Sequence, residues 1–257
     1  MYPRLRFPNK VLLRAQWGGR QDPMATQVGM VWDSWQRLAA HGGFLALPWN
    51  RVADRPSGMT PISTVEVLGA YMESTFERKD RTPSYMFAQG EPQWRDDAPP
   101  QMTMSARLAH FRGSDRMTAN QVFVELGSSV GREGQIVTSL PAAWLLSIGT
   151  GLVTDLVDAF HPDAASLDCS QLVKAPGRPR FSYPVMGFVS WLSDAVVDPS
   201  RLPDAPIRRR YGEGTLIGVD PGSADPLADA IGLADRVYQA GVLSMVPFVQ
   251  GQPNPVA

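Results

Sequence analysis

Gln101-Met102-Thr103-Met104-Ser105-Ala106-Arg107-Leu108 is the stretch on which the fold turns. Met102, Met104, Ala106 and Leu108 alternate with Thr103, Ser105 and Arg107. A period of two places the first set on the buried face of a strand and the second on the other face. Gln121 to Leu126 repeats the pattern, with Val122, Val124 and Leu126 as the apolar set. A connection beginning Arg112-Gly113-Ser114-Asp115 joins the two runs, so they are expected to pair antiparallel. Tyr85 to Ala88 is expected in the same sheet. Val11, Leu13, Ala15 and Trp17 give a further alternating strand, and Thr215 to Val219, apolar on both faces, reads as a central one.

Four amphipathic helices surround these strands. Met24, Val28, Val31, Trp35 and Leu38 recur at spacings of three and four after Asp22-Pro23, an N-cap and first-turn pair, and stop at Gly42-Gly43. Val65, Leu68, Met72 and Phe76 follow Ser63 and Glu66, spaced as a capping box. Leu145, Ile148, Leu152 and Leu156 follow Pro141. Leu227, Ile231, Ala234 and Tyr238 follow Asp225-Pro226. Strands concentrate in the middle of the chain, with helices before and after them. That order predicts an α+β fold: a mixed, largely antiparallel sheet with helices packed on it in two layers. Residues 1–257 read as a single domain. The stretch at about 174–210, with Pro176, Pro179, Pro184, Pro199, Pro203 and Pro206, reads as an irregular surface excursion.

Bulk composition narrows the function. Hydrophobic residues make up 44% and charged residues 19%, the balance of a globular chain of 257 residues. Lys and Arg number 24 against 25 Asp and Glu, which argues against direct nucleic-acid binding. One cysteine, Cys169, cannot form an internal disulfide. The N-terminus has no apolar run of signal-peptide length, and Ala142 to Phe160 is broken by Asp155 and Asp158, so no membrane span is expected. A cytoplasmic protein, monomeric or homodimeric, is the expectation.

The catalytic leads are short. Gly127-Ser128-Ser129-Val130-Gly131 has the spacing of a nucleophile elbow, with Ser129 as nucleophile, and His41-Gly42-Gly43 resembles an oxyanion segment. An elbow runs directly into a helix, whereas Arg132-Glu133-Gly134-Gln135 follows here, and the only downstream histidine is His161. A turn and a helix end account for both motifs. His41, His110 and His161 lie far apart, so no metal is expected. Asp155 and Asp158, one helical turn apart, read as a solvated helix face. Gly212-Glu213-Gly214 precedes a strand instead of following one, so no phosphate loop and no cofactor are expected. Arg208-Arg209-Arg210 reads as solvated loop charge.

What remains is recognition of a protein partner. Trp49, beside Arg51, and Trp94, flanked by Glu91, Asp96 and Asp97, are expected in exposed loops. Aromatic and charged anchors of this kind are what protein interfaces use. Trp49, Arg51, Glu91, Trp94, Asp96 and Asp97 are therefore the candidate contact residues.

Two motifs in this order resemble the immunity protein 52 family of bacterial polymorphic toxin systems. The first is Trp17-Gly18-Gly19-Arg20, at the end of a strand and directly before an amphipathic helix. The second is Gly187-Phe188-Val189-Ser190-Trp191-Leu192-Ser193, followed by a strand at Gly214 to Val219 and a last helix at Asp225 to Gly241. The resemblance runs from about residue 10 to about residue 243. It implies an α+β fold, no catalysis, and a partner that is a cognate toxin. Such a toxin often carries a restriction-endonuclease-like nuclease domain and is delivered by a type VI secretion system. The alternatives are a serine hydrolase using Ser129 and a secretion-system adaptor.

Overall fold

A computed structural model describes residues 10–18, 20, 22–52, 60–77, 84–89, 101–108, 120–130, 136–138, 142–175, 183–244 and 246. In chain order the elements are β1 (Val11–Trp17), α1 (Met24–Ala40), β2 (Trp49–Arg51), β3 (Thr60–Pro61), α2 (Val65–Glu77), β4 (Ser84–Gln89), β5 (Gln101–Arg107), β6 (Asn120–Val130), β7 (Ile136–Thr138) and α3 (Ala142–Phe160). They continue with β8 (Ala164–Cys169), α4 (Ser170–Lys174), β9 (Val189–Ser193), β10 (Ile207–Tyr211), β11 (Gly214–Gly218) and α5 (Pro226–Gln239). The fold is α+β. Its sheet runs β10-β11-β9-β8-β1-β6-β5-β4-β2-β3, with β7 on β6. Every pairing is antiparallel among the described residues.

The alternation seen in the sequence sets the two faces. One row crosses the sheet as Phe87, Met104, Val124, Leu13, Leu167 and Val189, all buried. Helices α1, α2 and α3 cover this face. Trp35 of α1 donates its indole N–H to the Met104 sulfur and meets Phe87 edge-on at 5.0 Å. Tyr71 of α2 meets the same ring at 5.7 Å. Helix α3 lies against β1, β8, β9 and α1. It is long and apolar enough to cross a membrane, yet half of it is buried inside the fold, as a core helix requires.

The opposite face carries the row Met86, Ser105, Phe123, Arg14, Ser166 and Ser190. There Gln16 donates to the Tyr183 carbonyl at 3.2 Å, and the Tyr238 hydroxyl of α5 donates to the Pro184 carbonyl at 3.1 Å and accepts from the Met186 N–H. Strands β8, β9 and β11 are buried on both faces, more than the two layers expected.

That double burial explains what periodicity missed. Ala164-Ala165-Ser166-Leu167-Asp168-Cys169 and Val189-Ser190-Trp191-Leu192-Ser193 do not alternate because neither has a solvent face. The stretch at about 174–210 is therefore not an irregular excursion: it contains β9 and β10, with Pro184, Pro199, Pro203 and Pro206 in the connections. Two caps also differ. Asp22 pairs with Arg20 at 2.8 Å, and α1 begins after Pro23 with no side-chain cap. The α2 cap is Thr64, not Ser63: its hydroxyl accepts from the Val67 N–H, and its bond to Glu66 holds that carboxyl below the ordinary range. Asp225 caps α5 as expected, accepting from the Ala228 N–H at 3.1 Å.

Candidate partner-binding surface

Of the expected contact residues, the structure separates Trp49 from Arg51. Strand β2 pairs with β4 so that Trp49 lies opposite Gln89. Its ring turns under α1 and stacks on Trp35, with centroids 5.1 Å apart and planes 11° apart. Only 5% of Trp49 is exposed. It is a core residue and not an exposed loop anchor, because a short strand and an aromatic partner on α1 capture it. Arg51, two residues on, is exposed. Glu91, Trp94, Asp96 and Asp97 lie outside the described residues. Their segment follows β4, which ends at Gln89 beside Trp49, and precedes β5.

Next to Arg51 in the chain are exposed apolar residues that the sequence reading did not name. The large apolar residues exposed among those described are Val52, Val67 and Met86, at 38%, 41% and 41%. Val52 and Met86 lie side by side, just past the end of β2 and on β4, and Val67 lies on α2. The Val52 N–H donates to the Met86 carbonyl at 3.1 Å, and the Tyr71 hydroxyl donates to the same carbonyl at 3.4 Å. Val67 precedes Tyr71 by one turn of α2. Tyr85 and Phe87 point into the core, so period two alone turns Met86 outward; that signal was present in the sequence. Exposed apolar side chains placed side by side, as Val52 and Met86 are, are the ordinary composition of a protein contact.

The motifs behind the family resemblance build the fold instead. Arg20 donates to the carbonyls of Phe160 at 2.6 Å and His161 at 3.1 Å, and so closes the C-terminus of α3 with a cation, where the helix dipole favours one. Trp17 stacks on Phe160 at 5.6 Å. The Gly18 N–H donates to Asp163 at 2.9 Å; burial pushes that carboxyl above its usual range, and Gly18 and Arg20 oppose the shift. In the second motif a Cβ on Gly187 would lie 2.1 Å from the Leu167 carbonyl oxygen, so only glycine fits. Trp191 donates its indole N–H to the Tyr211 carbonyl at 2.9 Å.

The titratable groups are held in pairs. Asp168 is fully buried and takes two bonds from Arg14, at 3.1 and 3.3 Å, and one from Ser166 at 2.9 Å. Burial still pushes its carboxyl up, against Arg14 and Ser166. The Arg14 guanidinium also lies 4.8 Å over the Phe123 ring. Asp155 and Asp158 are not a bare solvated face: Asp155 meets His41 Nε2 at 2.6 Å, and Asp158 takes Arg37 at 3.0 Å and the Tyr211 hydroxyl at 2.9 Å. Among the described residues no three His, Cys, Asp or Glu side chains converge as metal ligands would.

Ser129 does not sit at a strand-to-helix turn. It lies inside β6 and pairs with Val137 of β7. The glycine that began the apparent motif has another purpose. Opposite Gln101 to Thr103, β6 holds one extra residue between Glu125 and Ser128, and Gly127 there has a φ of 61°. That is a β-bulge, whose left-handed residue is normally glycine.

No protein-family model matches the sequence, and no curated protein matches it. Among solved structures it is similar to a Pseudomonas aeruginosa T6SS protein, PA0821. The two share 12% sequence identity with a TM-score of 0.44, over 89% of this chain and 73% of that one.

Proposed function

We propose that this chain is a cytoplasmic immunity protein that binds and neutralises a cognate antibacterial toxin, a nuclease effector delivered by a type VI secretion system. It works by affinity and catalyses no reaction. The observation that carries this reading is the exposed apolar pair Val52 and Met86, side by side at the end of β2 and on β4. Motif order supports the family. Both motifs serve packing, which leaves recognition to exposed surface positions such as these. A tight one-to-one complex would bury roughly 1,600 Å² in total, so the pair would be the centre of a larger contact that includes the segment joining β4 to β5.

The test is co-expression in a susceptible bacterium with the toxin domain encoded by the adjacent gene. Survival together with a co-purifying one-to-one complex is the expected result. Death of cells that contain folded, soluble protein, against a toxin shown to kill, would overturn the reading for that pair.

A further inference from the structure

The sheet ends in two different ways. At one end β3 has two residues, and one of them, Pro61, has no N–H to donate. At the other end β10 presents Ile207-Arg208-Arg209-Arg210-Tyr211, paired with β11 on one side and, among the described residues, with nothing on the other. Tyr211 faces Gly214 across the turn Gly212-Glu213, in which Gly212 has a φ of 53°. A two-residue hairpin closes on a hydrogen-bonded pair, and such pairs then alternate along the strand. Tyr211, Arg209 and Ile207 thus aim their N–H and C=O groups at β11. Arg208 and Arg210 aim theirs away from the sheet.

The three guanidinium groups are not equivalent. Arg208 pairs with Asp204 at 2.9 Å, and Arg210 holds Asp194 with two bonds, at 2.5 and 2.7 Å. Those two lie on one face of the strand. Arg209 lies on the other face, is exposed, and makes no ion pair among the described residues. A strand with outward backbone groups at two residues and an unmatched cation between them can accept an extended chain that carries a carboxylate.

We infer that β10 is a docking edge for an extended acidic segment of a partner protein, which adds to the sheet as a further strand with a carboxylate against Arg209. A second copy of this chain fits less well, because a two-fold antiparallel pairing centred on Arg208, Arg209 or Arg210 would set that arginine against its own copy. The inference does not depend on the toxin reading, since its probe is a peptide. Its rival is that the arginines only guard the edge against unwanted pairing.

The probe is a synthetic end-capped peptide, Ser-Glu-Val-Glu-Val-Glu-Val-Ser, and the control has Lys in place of Glu. Amide exchange is followed residue by residue by NMR on the whole chain. The acidic peptide should slow exchange at Arg208 and Arg210 by about tenfold or more at saturation, and the Lys peptide should not. Arg209→Glu should reverse that preference. Unchanged exchange along β10 at millimolar acidic peptide, or equal protection by both peptides, would overturn the proposal. So would an Arg209→Gln chain that self-associates yet binds the acidic peptide as before, because the arginines would then be guards alone.

Discussion

Arg20 ties three parts of the fold with one side chain. Its guanidinium closes α3 and pairs with Asp22, and its own carbonyl accepts from Asn120 at 2.9 Å. Arg20→Ala should therefore lower stability by about 2–3 kcal/mol, the scale of hydrogen bonds to a charged group left unmade. Urea unfolding measures it, and Arg20→Lys should recover only part, because an ammonium cannot span two carbonyls in a fork. Gly187→Ala should cost about 3 kcal/mol or prevent folding, since the added methyl meets a backbone oxygen that cannot move aside. An unchanged urea midpoint in the Gly187→Ala chain would show that the approach to Leu167 relaxes freely. At this scale the sequence was legible where a pattern had length. Trp49 was misplaced because three strand residues are too few for periodicity, and its stacking partner Trp35 lies on another element.

The elements were legible in proportion to their amphipathicity. Strands β1, β5 and β6 and helices α1, α2, α3 and α5 each have one face more polar than the other, and so announced themselves. Strands β8 and β9 do not, because burial on both faces erases the alternation that reveals a strand. Strand β10 was hidden by the opposite cause, three consecutive arginines that resemble loop charge. Its pairing with Asp194 gives the element a pH signature. Arg210 holds the Asp194 carboxyl below its ordinary range. A carboxyl lowered by folding contributes stability above its unfolded value, and loses that contribution as pH falls through its folded value. Asp194→Asn should thus lower the melting temperature slightly at neutral pH, and the gap from the parent chain should close in acid. The pair is exposed, so the effect is small and should shrink with added salt. A gap that persists in acid would mean that the substitution disturbs the hairpin by some other route.

At the scale of the whole molecule, stability and recognition should separate. Trp49→Ala, in the core, should cost about 3–5 kcal/mol. Val52→Ser with Met86→Gln should stay within about 0.5 kcal/mol per site and, on the proposed function, weaken binding of the toxin domain encoded by the adjacent gene by about tenfold or more. Calorimetry on each variant, with and without that domain, distinguishes the two classes. Equal affinity in the double variant would remove the pair from the interface. An α+β chain with an antiparallel sheet followed from the sequence. The order of strands did not, because period two fixes which side chains share a face and is silent on which strand lies beside which. That order has a consequence in time. Strand β1, made before both strands that flank it, sits between β6 and β8, and Arg14 waits 154 residues for Asp168. Until the ribosome has delivered β8, Val11, Leu13, Ala15 and Trp17 lack the second of the two strands that flank them. Newly made chains therefore pass through a stage exposed to aggregation and chaperones, and pairings this distant in sequence make refolding slow.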